Sequence, residues 1–132
     1  MKSKILLLAA VVIFSSLSIQ AAGGKVKSSD GVEIAYSVYG KGEPALIFVH
    51  GWGWDQSLWK GQAAKFSSKY KVVTLDLAGH GESGKKRKNF TIKDFGNDVV
   101  SVINKLQLKK VILVGNSMGG IINLEVYRQI KD

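Results

Sequence analysis

Short, wholly apolar runs alternate along this chain with stretches whose apolar residues recur at helical spacing, and that alternation sets the fold class. Lys25–Ser28 and Val32–Tyr39 are strand-like, and the Asp30-Gly31 pair between them predicts a hairpin turn. Ala45–Val49 is apolar at every position, as expected of an interior strand covered on both faces. A short helix is expected over Ser57–Ser68, followed by a β-branched strand over Lys71–Leu75, so the helix would cross between two parallel strands. Ile92, Phe95, Val99, Val102, Ile103 and Leu106 then form one apolar helical stripe, with Lys105 near the negative end of the helix dipole. Lys110–Val114 predicts a third buried strand, and Met118–Ile130 a helix that starts directly after the turn Gly115-Asn116-Ser117. The sum is an α/β fold: a mostly parallel sheet, opened by an N-terminal antiparallel hairpin and flanked by helices. In such open sheets chemistry gathers at the carboxyl ends of the strands, where His50, Asp76 and Ser117 all fall.

The first stretch stands apart from this pattern. Lys2 and Lys4 precede an apolar run from Ile5 to Phe14, then Ser15 to Gln20 and the small residues Ala21 to Gly24. This is the layout of a secretory signal peptide over residues 1–22, cleaved after Ala21 or Ala22. An uncleaved anchor is the competing reading, but the run from Ile5 to Ile19 falls short of the roughly 20 apolar residues that span a bilayer. The mature chain is therefore expected to be exported, to the periplasm or the extracellular space, without stable membrane insertion.

Charge and composition narrow the chemistry. The net charge is +9, densest at Lys85-Lys86-Arg87-Lys88. That run lacks interleaved aromatics and any recognisable nucleic-acid module, so it is expected to be a solvated loop and not a nucleic-acid site. Absence of cysteine excludes disulfides, thiolate catalysis and cysteine-based metal sites. His50 and His80 are too far apart in sequence for a helical zinc motif, so neither metal nor cofactor is expected.

Three motifs remain. Gly115-Asn116-Ser117-Met118-Gly119 is G-x-S-x-G set between a predicted strand and a helix. Glycines on both sides of the serine allow a sharp turn that pushes its hydroxyl into the open, marking Ser117 as a candidate nucleophile. Gly120 strengthens the pattern. His50-Gly51-Trp52-Gly53 follows the first interior strand, where the backbone N–H of Trp52, with that of Met118, could hold a developing oxyanion. His50 reads better as a loop-anchoring histidine than as a base. Asp76-Leu77-Ala78-Gly79-His80-Gly81-Glu82-Ser83 is the third piece, with Asp76 and His80 read as loop-ordering residues. Trp52, Trp54 and Met118 could wall an apolar substrate site or belong to the core; Trp59 reads as packing.

In this order and spacing, the three motifs resemble the N-terminal half of an α/β-hydrolase, nearest its serine-nucleophile esterase, lipase and peptidase branch, over about Val26 to Asp132. The resemblance implies a hydrolase acting on an ester, amide or similar acyl bond of a small molecule, in a domain starting near Lys25. Serine at the turn argues against the dehalogenase and epoxide-hydrolase branches. Two alternatives stay open: a non-catalytic module of the same fold binding a small ligand, and a cofactor-free haloperoxidase or perhydrolase. In this family the acid and then the histidine follow the nucleophile. After Ser117 this sequence has two acids, Glu125 and Asp132, and no histidine. The triad is therefore not expected to close within these residues, and the last predicted strand is expected to leave a hydrophobic edge.

Overall fold

The computed structural model describes residues 21–131, so the expected signal peptide lies almost wholly outside the described residues. Five strands form one sheet: β1 (Ala22–Lys27), β2 (Glu33–Tyr39), β3 (Ala45–Val49), β4 (Val72–Leu75) and β5 (Val111–Gly115). Their spatial order is β1-β2-β4-β3-β5. β1 and β2 form the antiparallel hairpin, β2 also runs antiparallel to β4, and β3 pairs in parallel with both β4 and β5. The sheet is mixed, with two antiparallel and two parallel pairings, and opens with the N-terminal hairpin that the pattern predicted; β1 begins three residues before the expected Lys25, at Ala22.

Helices α1 (Lys60–Phe66), α2 (Ile92–Lys105) and α3 (Met118–Ile130) cover the two faces. The strand pleat sorts the core between them. Ile47 and Val49 of β3 join Phe95, Val99, Val102, Ile122 and Val126 beneath α2 and α3. Leu46 and Phe48 face the other way, against Trp59 and Ala63 beside α1, where the Phe48 and Trp59 rings lie 5.0 Å apart. α2 is fixed at its start by Thr91, whose hydroxyl oxygen accepts the Asp94 N–H at 3.1 Å.

One expectation about the basic run fails at a single residue. Arg87 is not solvated: its side chain is 2% exposed and its guanidinium pairs with Asp98 and Asp30. Asp98, fully buried on α2, also accepts from the Ser28 hydroxyl at 2.6 Å and the Ala78 N–H at 3.1 Å. The cluster ties the N-terminal hairpin, the 78–90 loop and α2 together. Sequence pattern placed Arg87 with its lysine neighbours because its partners, Asp30 and Asp98, lie 57 and 11 residues away in the chain.

β5 differs from a buried strand. It lies at the sheet edge with Ile112 48% exposed, and α3 adds the exposed apolar side chains of Ile121, Leu124 and Tyr127. The three helical residues are spaced at i, i+3 and i+6, which makes one stripe. Exposed apolar surface beside an open strand edge favours self-association.

Two outcomes are expected. Asp98→Ala leaves Arg87 buried without its main partner and should cost about 3–5 kcal/mol, measured by denaturant unfolding. Leu124→Lys with Tyr127→Lys should leave the free energy of unfolding within about 0.5 kcal/mol, as for surface changes. The same pair should reduce concentration-dependent association in sedimentation velocity.

Candidate active site

The carboxyl ends of β3, β4 and β5 bring together three loops, and the tightest contact among them is backbone on backbone. At the end of β5 the chain turns through Ser117 with φ 51° and ψ −119°, a left-handed conformation that a side-chain-bearing residue adopts only under constraint. The constraint is visible on both sides of the serine. A side chain at Gly115 would run into the backbone of Gly119 and Gly120, and one at Gly119 would run into the carbonyl oxygen of Val49. Only glycines let α3 sit this close to both β5 and β3. Ser117 occupies the cap position of α3 without using its side chain as a cap, so the hydroxyl is exposed and makes no hydrogen bond to the helix. Asn116 N–H donates to the Val49 carbonyl at 3.1 Å, which pins the turn to β3.

Gly51 brings the second loop against this turn. A β-carbon there would lie 3.0 Å from the Asn116 carbonyl oxygen and 3.2 Å from the Ser117 β-carbon. Trp52 follows directly. Among the described residues, the N–H groups of Trp52 and Met118 donate to no protein acceptor, although Gly53 and Trp54 N–H groups are both engaged. Two unengaged amides, one in the residue after Gly51 and one in the residue after Ser117, thus belong to the loops that meet at an exposed alcohol at a helix N-terminus, where the dipole favours negative charge.

Neither histidine faces this alcohol with a free nitrogen. His50 is fully buried; its Nε2 accepts the Leu77 N–H at 3.0 Å and its Nδ1 lies 2.8 Å from the Gly51 carbonyl oxygen, to which it donates. Burial is the main reason its pKa falls below the ordinary 6.5, with the Gly51 hydrogen bond opposing. His80 is engaged in the same fashion: Nε2 accepts from Gly53 N–H at 3.2 Å and Nδ1 lies 3.0 Å from the Ala78 carbonyl oxygen. The two rings, 5.1 Å apart, stitch the 50–53 loop to the 77–80 loop.

Asp76 performs the same task below them. Its carboxylate, 1% exposed, accepts from Gln56 N–H at 2.7 Å, Gln56 Nε2 at 3.1 Å and Glu82 N–H at 2.9 Å. Gln56 completes the link by accepting from the Thr74 hydroxyl at 3.0 Å. Three donors from two loops thus hold the buried carboxylate, which orders the chain around residues 56 and 82. Gln56 and Thr74 were missed in the sequence, where a polar residue in a loop carries no sign of its partner.

The tryptophans divide. Trp59 is 7% exposed and belongs to the core, whereas Trp52 and Trp54 are 64% and 56% exposed. Trp52 stands edge-on to His80, with ring centres 5.2 Å apart, and helps wall a cleft of about 390 Å³ with Trp54, Asp55 and Phe90. Met118 is half-buried, packed against the core below the turn.

Residues 44–132 match the family defined by the alpha/beta hydrolase fold. The chain belongs to the alpha/beta hydrolase family. It is 36% identical over 91 residues to 3-oxoadipate enol-lactonase 2 of Acinetobacter baylyi, covering 68% of this chain and 34% of that protein. With the non-heme chloroperoxidase CPO-A1 of Kitasatospora aureofaciens it shares 36% identity over 92 residues, 69% of this chain and 33% of the other. Among solved structures, a thermophilic esterase from Thermogutta terrifontis superposes with a TM-score of 0.76 at 30% identity, over 86% of this chain and 42% of the esterase. The chain thus spans about a third of the length of the curated relatives it matches. Hydrolases are among these relatives, and the residues matched by the family, 44–132, carry all three motifs.

A pH dependence follows from His50. The unfolded imidazole takes up a proton near its ordinary pKa of 6.5, while the buried one resists until lower pH. Stability is therefore present above 6.5 and lost as pH falls from there toward the folded value. The thermal midpoint should drop between pH 7 and pH 5, and His50→Gln should lower the midpoint at pH 7 while flattening that slope.

Proposed function

We propose that this chain carries the nucleophile and oxyanion site of an exported serine hydrolase that cleaves an ester, amide or similar acyl bond in a small molecule. The observation that carries the reading is the exposed Ser117 hydroxyl, held on a left-handed turn beside the unengaged amides of Trp52 and Met118. Attack of Ser117 Oγ on an acyl carbon turns the carbonyl oxygen into an anion. Two preorganised N–H donors at that position stabilise it, an effect worth about 2.7–4 kcal/mol per donor in a comparable site. The export part of the reading rests on the leader-like residues 1–22.

The serine also needs a base, since its hydroxyl is a poor nucleophile while protonated. His50 and His80 have both ring nitrogens engaged, so the proton is taken by a histidine outside these 132 residues, oriented by an acid that is also outside them. Similarity to much longer hydrolases supports that arrangement. His50, Gly51, Asp76, Gly115 and Gly119 serve the site by shaping its loops. A peroxidase-type use of the same serine is the second reading, favoured by the likeness to the chloroperoxidase.

Fluorophosphonate labelling tests the proposal, comparing the 132-residue chain with the product read through the downstream coding sequence. The longer product should label at Ser117, Ser117→Ala should abolish labelling, and the shorter chain should react slower by about 10³-fold or more. A folded longer product that does not label would replace the enzyme with a ligand-binding module. Perhydrolysis of a carboxylic acid with peroxide, outpacing ester hydrolysis, would favour the second reading.

A further inference from the structure

The cleft between the 52–55 and 79–81 loops has an unusual lining for a protein of net charge +9. Trp52, Trp54 and Phe90 expose 64%, 56% and 42% of their surface around it, and Asp55 supplies its carboxylate. Among the described residues that line it, none is a lysine or an arginine. The neighbouring clefts around Asp30 differ, since Lys85 and Lys86 line one and Lys86 to Lys88 the other. His80 is tied into the wall, its Nε2 accepting the Gly53 N–H at 3.2 Å.

We propose that this cleft binds an organic cation, an alkyl- or quaternary-ammonium group seated on the indole faces of Trp52 and Trp54 with Asp55 as its counter-charge. Aromatic faces are negative and attract a cation within about 6 Å of the ring centre. An anion would meet those faces and a carboxylate, with neutral indole N–H groups but no lysine or arginine to offset them, and so is disfavoured. A bare metal ion would find one carboxylate and no other strong ligand. The Asp55 carboxyl is held ionised at neutral pH by hydrogen bonds from Ser57, including its N–H at 2.8 Å, which lower the pKa from the ordinary 3.8. The cleft, of about 390 Å³, is within the usual range for small-ligand sites. Rigid walls favour binding over collapse: Gly53 is tied to His80, and Trp52 stands edge-on to His80, Phe90 and Phe95.

This inference does not depend on Ser117 being a nucleophile, and its test needs no catalysis. Choline and its uncharged isostere 3,3-dimethylbutan-1-ol are titrated into the 132-residue chain at constant ionic strength, with tryptophan fluorescence as the readout and propionate as the anionic arm. Choline is expected to give a saturable change at least five-fold tighter than the alcohol, and propionate none. Asp55→Asn should weaken choline at least three-fold while leaving the alcohol unchanged. Asparagine caps a helix as well as aspartate does, so that variant keeps the Ser57 contact and the fold, checked by an unchanged thermal midpoint. Trp54→Ala, at an exposed position, should remove most of the signal. Equal affinity for choline and the alcohol would reduce the cleft to a neutral apolar site, and preference for propionate or no saturable change would overturn the proposal.

Discussion

The approach of α3 to the carbonyl of Val49 is the constraint on which the rest of this molecule depends. A helix can start that close to two parallel strands only if neither the strand end nor its own first turn offers a side chain there, and Gly115 of β5 and Gly119 of α3 meet that condition. Once the two backbones touch, the residue between the glycines has few conformations left. Ser117 is forced to positive φ, its side chain cannot fold back as a cap, and its hydroxyl is left exposed. The strain, of order 1–3 kcal/mol for such a residue, is held by the packing of β3, β5 and α3 around it.

A second tier of interactions shapes the loops that surround this turn, and it is polar where the first is apolar. Asp76, His50 and Asp98 are almost fully buried, and each is satisfied by backbone N–H groups or side chains drawn from distant parts of the chain. A buried polar group left unpaired costs several times what a satisfied one contributes. These residues therefore hold loop geometry firmly while adding little net stability. Their engagement is also why neither histidine has a nitrogen free for the serine. Structural and catalytic use of one imidazole compete for the same two nitrogens, and here the structural use has both.

Stability and chemistry pull apart at the far side of the sheet. β3 and β4 are buried at every position, whereas β5 and the Ile121, Leu124 and Tyr127 stripe of α3 are open. The strand that carries the Ser117 turn is thus supported on one side only. Contact with β3 fixes the turn itself, so the site geometry survives at an otherwise exposed edge.

Strand and helix placement was legible from periodicity alone, because burial on a pleated or helical surface imposes a repeat on neighbouring residues that a linear reading detects. Ala45–Val49 and Met118–Ile130 fall where the pattern put them, and the glycine spacing around Ser117 announced a close approach. Partners distant in the chain left no such trace. Arg87 looked like one more solvated cation until Asp30 and Asp98 closed around it, and Gln56 looked like an ordinary loop residue until it met Asp76 and Thr74. Local repeats follow from the geometry of one element and can be read along the chain. The pairing of buried charges depends on which elements meet, and only the folded chain decides that.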